Sequence, residues 1–408
     1  MQQITFTELL AQETKRDPIA FAAHLREQGP LVRLTAPLGR GDGWIATGYD
    51  DAIAILKDPR FVKDIQKLAP SRDEQAPTNE RASVMDRFLA FRRDMLSVDP
   101  PDHTRLRSLV SKAFTPRMIE QLRPRIQQIA DELLDTAQVQ GRMDLIADFA
   151  FPLPITVISE MLGIPIADRS RFRSWSQTIV TGTAGPEPEK AFATLEEFVQ
   201  YIKTLLSEKR EYPGSDLVSS LVQVEDRGDA LSEAELISTI FLLIVAGHET
   251  TVNLIGNGML ALLQHPEQLH QLQQNPALLP SAIEELLRYT APVSLSSPRW
   301  ASEDIPMHGE VIHKGEMIFV SLIGADTDSQ QFTDPAILNI ARQENQHVAF
   351  GRGIHFCLGA PLARLEGQIA IGTLLQRLPS LRLVSEPARL TWTQSPILRG
   401  LTSLPVMF

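Results

Sequence analysis

The run from Glu233 to about Gln264 constrains this chain more than any other segment. Ser232 and Glu235 form a Ser-x-x-Glu capping box ahead of it, and His265-Pro266 stops it. At about 1.5 Å per residue the helix is roughly 45 Å long, enough to cross a whole domain. Leu236 to Ala246 is apolar on nearly all faces, so the rest of the chain must wrap around it. Its uninterrupted apolar stretch, Ile240 to Ala246, is far short of the ~20 residues that a bilayer span takes. Ala246-Gly-His-Glu-Thr-Thr251 then breaks the pattern. A glycine costs about 1 kcal/mol in a helix interior. A buried glutamate costs more unless paired, and two threonines can bond back to carbonyls and bend the helix. Local rule-breaking in an otherwise consistent helix points to function. A kink with one solvated glutamate is the plainer alternative.

The remainder reads as predominantly α with minor sheet. Helices are expected at Met118 to Val139, with Pro124 in its first turns or kinking it, and at Ala191 to Arg210. Two more are expected from Ser281 and Glu284, as caps, to near Pro292, and at Leu362 to Leu374. Short strands are expected at Leu31–Leu34, Trp44–Thr47, Val293–Trp300, Glu316–Leu322 and Leu381–Val384. Turn-rich interruptions at Pro70–Arg81, Gly182–Lys190, Tyr212–Asp216 and Glu225–Ala230 are too short to be domain boundaries. One domain over residues 1–408 is expected.

Lys and Arg number 39 against 50 Asp and Glu, a net charge of −11, which argues against a nucleic-acid binder. One cysteine permits no internal disulfide and fits a reducing compartment. The charged N-terminal stretch has no apolar core of a signal peptide. A soluble, cytoplasmic chain without a membrane anchor is expected.

The lone Cys357 lies in Phe350-Gly-Arg-Gly-Ile-His-Phe-Cys-Leu-Gly-Ala-Pro-Leu-Ala-Arg364. Gly351 and Gly353 let the backbone bend sharply. A sulfur just ahead of a helix meets free N–H groups and the positive dipole end, which stabilise thiolate. Three other readings stand beside that one. A single cysteine is most often a small buried hydrophobe. Zinc could be held by His347, His355 and Cys357, although paired CxxC ligands are absent. Cys357 and His355 could also form a nucleophile pair.

Phe350-x-x-Gly353-x-His355-x-Cys357-x-Gly359 resembles the haem-binding loop of the cytochrome P450 family. Further motifs from about Trp44 to Glu366 extend the likeness over most of the chain, towards the soluble bacterial type. The resemblance implies a single-domain fold with haem between the long central helix and the helix after the cysteine loop. It implies Cys357 as axial thiolate of a haem b, pushing electron density onto iron. No C-x-x-C-H exists, so the haem would be held non-covalently. Gly359 would bring backbone N–H groups to the sulfur, and Phe350 would cover the thiolate side. In the oxygen-activation motif, Gly247 would open a groove, Thr250 would hydrogen-bond dioxygen or its water, and Glu249 would relay protons. Thr251 is a secondary candidate, and His248 reads as a satisfied buried histidine.

Glu285 and Arg288, spaced i and i+3, match the family's E-x-x-R, which by itself is a weak signal. The resemblance pairs them with Arg342 as fold determinants. It also places His103, Arg107, Arg299 and His355 at the haem propionates. Asp326-Thr-Asp328 departs from the family's common Asn-Arg-Asp, which puts a local salt bridge in doubt. Family positions lining the pocket are Phe88, Phe91, Leu242, Ala246, Val293, Leu295 and Ile397, mostly apolar and suited to a lipophilic small molecule.

No dinucleotide fingerprint or P-loop is present. Electrons are therefore expected from a ferredoxin or flavodoxin with an NAD(P)H-dependent reductase. These would dock on a basic patch drawn from Arg105, Lys112, Arg117 and Arg352. The implied activity is dioxygen-dependent monooxygenation by a monomeric enzyme. A peroxide-driven peroxygenase and a haem protein without oxygenase turnover are the alternatives.

Overall fold

A computed structural model of the chain describes residues 3–35, 42–68, 93–182, 188–226 and 229–408. The elements are mainly helices with short strands, and they group into two compact units. One comprises Met1–Phe61, Glu120–Pro154 and Glu249–Phe408; the other comprises Val62–Ile119 and Ile155–His248.

In the first unit a sheet carries Gln3–Thr5, Leu31–Thr35, Gly43–Ala46, Met317–Val320 and Arg299–Ala301, in that order. Successive strand residues face opposite sides. Trp44, Ala46, Ile318 and Val320 pack into one apolar cluster, and Ile45, Met317 and Phe319 into another. Gly43–Ala46 and Met317–Val320 run parallel, as strands covered on both faces commonly do. The expected strand Val293–Trp300 is cut short. Pro292 and Pro298 cannot donate to a ladder, so Val293 and Leu295 make only isolated bridges, to Leu398 and Ser321.

The expected helix from Met118 to Val139 is two helices, Pro116–Gln121 and Arg123–Gln138. Pro124 sits in the first turn of the second, where a missing N–H costs little. Ser281 and Glu284 do not cap the helix Leu279–Thr290. Pro280 lies in its first turn, Ser281 Oγ donates to the carbonyls of Leu278 and Ile340, and Glu284 is engaged elsewhere. The helix after the cysteine loop, Ala360–Arg377, is longer than expected.

In the second unit, helices Arg169–Gly182 and Pro188–Glu211 share an edge-to-face aromatic cluster of Phe172, Trp175, Phe198 and Tyr201. Phe241 of the long helix joins it at 5.4 Å from Phe198.

The long helix runs Glu233–Gln264 with its capping box formed: Ser232 N donates to Glu235 Oε2 at 2.9 Å and Glu235 N donates to Ser232 Oγ at 3.3 Å. Its length and a mean hydropathy of 1.4 over 18 residues would suit a membrane span. Its side chains from Thr251 to Leu262 are buried inside the protein, as in a core helix.

Candidate active site

The burial of the long helix is interrupted at its odd segment. Ala246 is exposed, and Gly247, Glu249 and Thr250 are half-buried, between buried Ile244 and the wholly buried run that starts at Thr251. Glu249 is thus partly open to solvent, and the cost expected of a fully buried glutamate does not arise. His248 is buried with Nδ1 at 2.7 Å from the carbonyl oxygen of Ile244. A Cβ at Gly247 would meet Ile158 at an ordinary 3.5 Å. Packing therefore does not require the glycine, despite its cost in a helix.

The cysteine loop is shaped by two glycines. Gly351 has φ +70° and Gly353 φ +73°, conformations that side-chain-bearing residues rarely adopt, and a Cβ at Gly353 would lie 2.7 Å from the carbonyl oxygen of Leu56. The loop closes with Cys357 N donating to Phe350 O at 2.9 Å. Cys357 is exposed and stands three residues ahead of the first helical residue, Ala360, with Pro361 in the first turn. The alternative of a buried hydrophobic cysteine fails on this exposure. Phe350 stacks near His347 and Phe356, with ring centroids 6.0 and 6.3 Å away. The guanidinium of Arg364 lies 4.6 Å above its ring. Among the described residues no three His, Cys, Asp or Glu side chains are grouped to hold a metal ion. His347, considered above for zinc, has Nε2 3.1 Å from Glu284 Oε2.

Glu366 is a lone carboxylate in the apolar run of the helix Ala360–Arg377, and no sequence motif marks it. It is 1% exposed and hydrogen-bonded by Thr251, while its Oε2 has no partner. Burial pushes its carboxyl up to about 8, against the lowering effect of the Thr251 bond. The bond joins the helix that follows Cys357 to the segment that carries Glu249 and Thr250. The available signal was one acidic residue between Leu365 and Ile369, on a face that the helix period turns inward.

Adjacent carboxylates on Leu279–Thr290 serve separate networks. Glu285 and Arg288, both fully buried, pair twice at 2.8 Å, and Arg342 Nε donates to Glu285 at 3.1 Å. Asn339 N and Asn345 Nδ2 donate to the same carboxylate. Glu284 instead accepts Arg364 Nε and Nη2, both at 2.7 Å, and these bonds with His347 hold its carboxyl down at about 2 against desolvation. Buried Asp326 is raised to about 6 by desolvation, and its Oδ1 accepts Val348 N at 2.7 Å. At Thr327, where the family commonly has arginine, a guanidinium arrives from elsewhere. Arg26 donates to Thr327 Oγ1 at 3.0 Å and to Gly324 O at 2.7 Å.

The other candidates are placed as follows. His103 and Arg107 lie one turn apart on Asp102–Ala113, with His103 buried and Arg107 half-buried. Arg299 is buried on its strand, its Nη1 donating to Phe61 O at 3.4 Å, and His355 ends the short turn Gly353–His355. Val293, Ile397 and Leu242 are half-buried. Leu295, expected to line the pocket, is buried. It is 4% exposed and packs with Ile4, Leu25 and Phe319, while Val293 packs against a different apolar cluster. Phe88 and Phe91 lie outside the described residues, as does the whole stretch from Pro70 to Phe91. Arg105 is engaged by Glu235 and Asp229, and Arg352 donates to the carbonyls of Gln346 and His347.

Comparison with known proteins converges on one family. The profile described as Cytochrome P450 matches residues 187–383. Cytochrome P450 CYP107DY1 of Priestia megaterium is 53% identical over 412 residues, covering 100% of both chains. Cytochrome P450 monooxygenase PikC of Streptomyces venezuelae is 44% identical, over 97% of this chain and 92% of its own. The solved structure of the Bacillus subtilis bacillaene polyketide synthase cytochrome P450 PksS superposes with a TM-score of 0.90 at 45% identity, covering 98% of each chain. The chain belongs to the cytochrome P450 family and is a cytochrome P450 monooxygenase. Membership implies a haem-thiolate cofactor.

Proposed function

We propose that the protein inserts one oxygen atom from O2 into a lipophilic small molecule, by hydroxylation or epoxidation, with a non-covalent haem b ligated by Cys357. The observation that carries this reading is the Thr251–Glu366 bond, which ties the helix after Cys357 to the Glu249-Thr250 segment. The donor chemistry fits the group. An exposed sulfur ahead of a helix offers one thiolate, Arg299 in the same unit offers a cation and His355 a further hydrogen-bond donor for propionates, and Phe350 offers an apolar face. Gly359 leaves room beside the sulfur, since a Cβ there would stand 3.9 Å from Cys357 Sγ.

When bound, the haem supplies the iron at which dioxygen is activated. The chain supplies orientation and protons. Gly247 leaves one side of the helix bare. Thr250 Oγ1 orients the oxygen, and the half-open Glu249 exchanges protons with solvent. Glu366, raised to about 8, holds a proton at neutral pH and accepts a hydrogen bond from the Thr251 hydroxyl. Val293 and Ile397, half-buried in the first unit, offer apolar surface to the substrate. Glu285, Arg288 and Arg342 hold the fold on the cysteine-loop side. Electrons come from a separate ferredoxin or flavodoxin and its NAD(P)H-dependent reductase. The protein acts as a single-domain monomer in the cytoplasm.

The carbon monoxide difference spectrum of the reduced protein tests this reading. Wild type shows the red-shifted Soret band of thiolate ligation, and Cys357→Ala loses it. A haem spectrum without that band in wild type removes Cys357 and oxygen insertion from the account.

A further inference from the structure

Arg364 is held more tightly than a surface arginine needs to be. Its Nε and Nη2 are both committed to Glu284 at 2.7 Å, and its guanidinium plane sits 4.6 Å over the ring of Phe350. Glu284 is fixed in turn by His347, whose Nδ1 accepts Ala349 N at 3.2 Å. Phe350 is tied through its carbonyl oxygen to Cys357 N. The clamp therefore begins on the helix Leu279–Thr290, passes through Arg364 on the helix after the cysteine, and closes on the cysteine loop itself. The guanidinium is near enough to feel the charge of a Cys357 thiolate. A bidentate fork costs less ordering per bond than a flexible ammonium. Three constraints on one guanidinium fix its place, where a single exposed pair would contribute little.

We propose that Arg364, clamped by Glu284 and stacked on Phe350, is a positioning residue for Cys357: a fixed cation that draws charge from the thiolate and poises the bound haem towards reduction. The inference rests on the reading of Cys357 as iron ligand. Reduction adds one electron to the site, and a nearby fixed cation stabilises the more negative state. Arg364 is 33% exposed, so solvent and salt screen part of the effect.

Potentiometric titration of the haem-loaded protein at low salt tests it, with the carbon monoxide spectrum recorded on the same samples. Arg364→Met makes reduction about tenfold less favourable, which is about 59 mV for a one-electron couple, while the red-shifted Soret band persists. Arg364→Lys keeps the charge and recovers at least half of the loss. An unchanged potential in Arg364→Met, or a lysine variant no better than methionine, overturns the proposal. If Arg364→Met fails to load haem, Arg364→Gln takes its place with the same criterion. Wild type without the thiolate band overturns the assignment of Cys357 itself, and the proposal with it.

Discussion

Two buried glutamates in the same unit, Glu285 and Glu366, have opposite surroundings. Both are almost wholly removed from solvent. The Glu285 carboxylate is met by Arg288 Nε and Nη2, Arg342 Nε, Asn339 N and Asn345 Nδ2. Glu366 has the Thr251 hydroxyl and an oxygen left over. Saturated with cationic and amide donors, a carboxylate locks its elements together and has nothing left to exchange. A carboxyl that burial keeps protonated can still give its proton away. The difference separates a residue that holds the fold from one suited to chemistry, although composition and burial make them look alike.

Breaking the saturated site has the largest effect on that comparison. Glu285→Ala leaves Arg288 buried and uncompensated, and urea denaturation is expected to show a loss of about 3–5 kcal/mol. A loss under 1 kcal/mol would remove the distinction between the two glutamates. Glu366→Gln acts on pH dependence. Between its ordinary value of 4.5 and about 8, the folded protein holds a proton that the unfolded chain has released. This contribution to stability is therefore fully present at low pH, falls by about 1.4 kcal/mol per unit across the window, and levels off above about 8. The glutamine variant loses this slope. Identical pH profiles for both proteins would mean that Glu366 does not stay protonated. Thr251→Val is the smallest change. It removes the bond that lowers Glu366, so the falling window extends to higher pH, with a stability change of about 1 kcal/mol. A window that retreats to lower pH would show that the Thr251 bond acts in the other direction.

The long helix was legible in the sequence because capping and apolar periodicity are local. Its limits, Glu233 and Gln264, are those read from Ser232-x-x-Glu235 and His265-Pro266. The cysteine loop was legible for a similar reason, since Gly351 and Gly353 mark the bends directly. Errors arose where a local signal was overridden by packing. Ser281 and Glu284 have the spacing of a capping box, but Arg364 and His347 claim the carboxylate and the carbonyl of Ile340 claims the hydroxyl. Glu366 was passed over because its partner, Thr251, is 115 residues earlier in the chain.

The sequence by itself determined the long helix Glu233–Gln264, where the cysteine loop must bend, and that one sulfur stands ahead of a helix. These follow from capping, glycine conformation and apolar period, all of which act within a few residues. Only the tertiary structure decided which carboxylates are saturated. Glu284, Glu285 and Glu366 carry the same functional group. Their differences come from donors 57 residues away for Arg342 on Glu285 and 80 for Arg364 on Glu284. Desolvation and hydrogen bonding set the protonation of a buried carboxyl, and both depend on what the fold brings beside it.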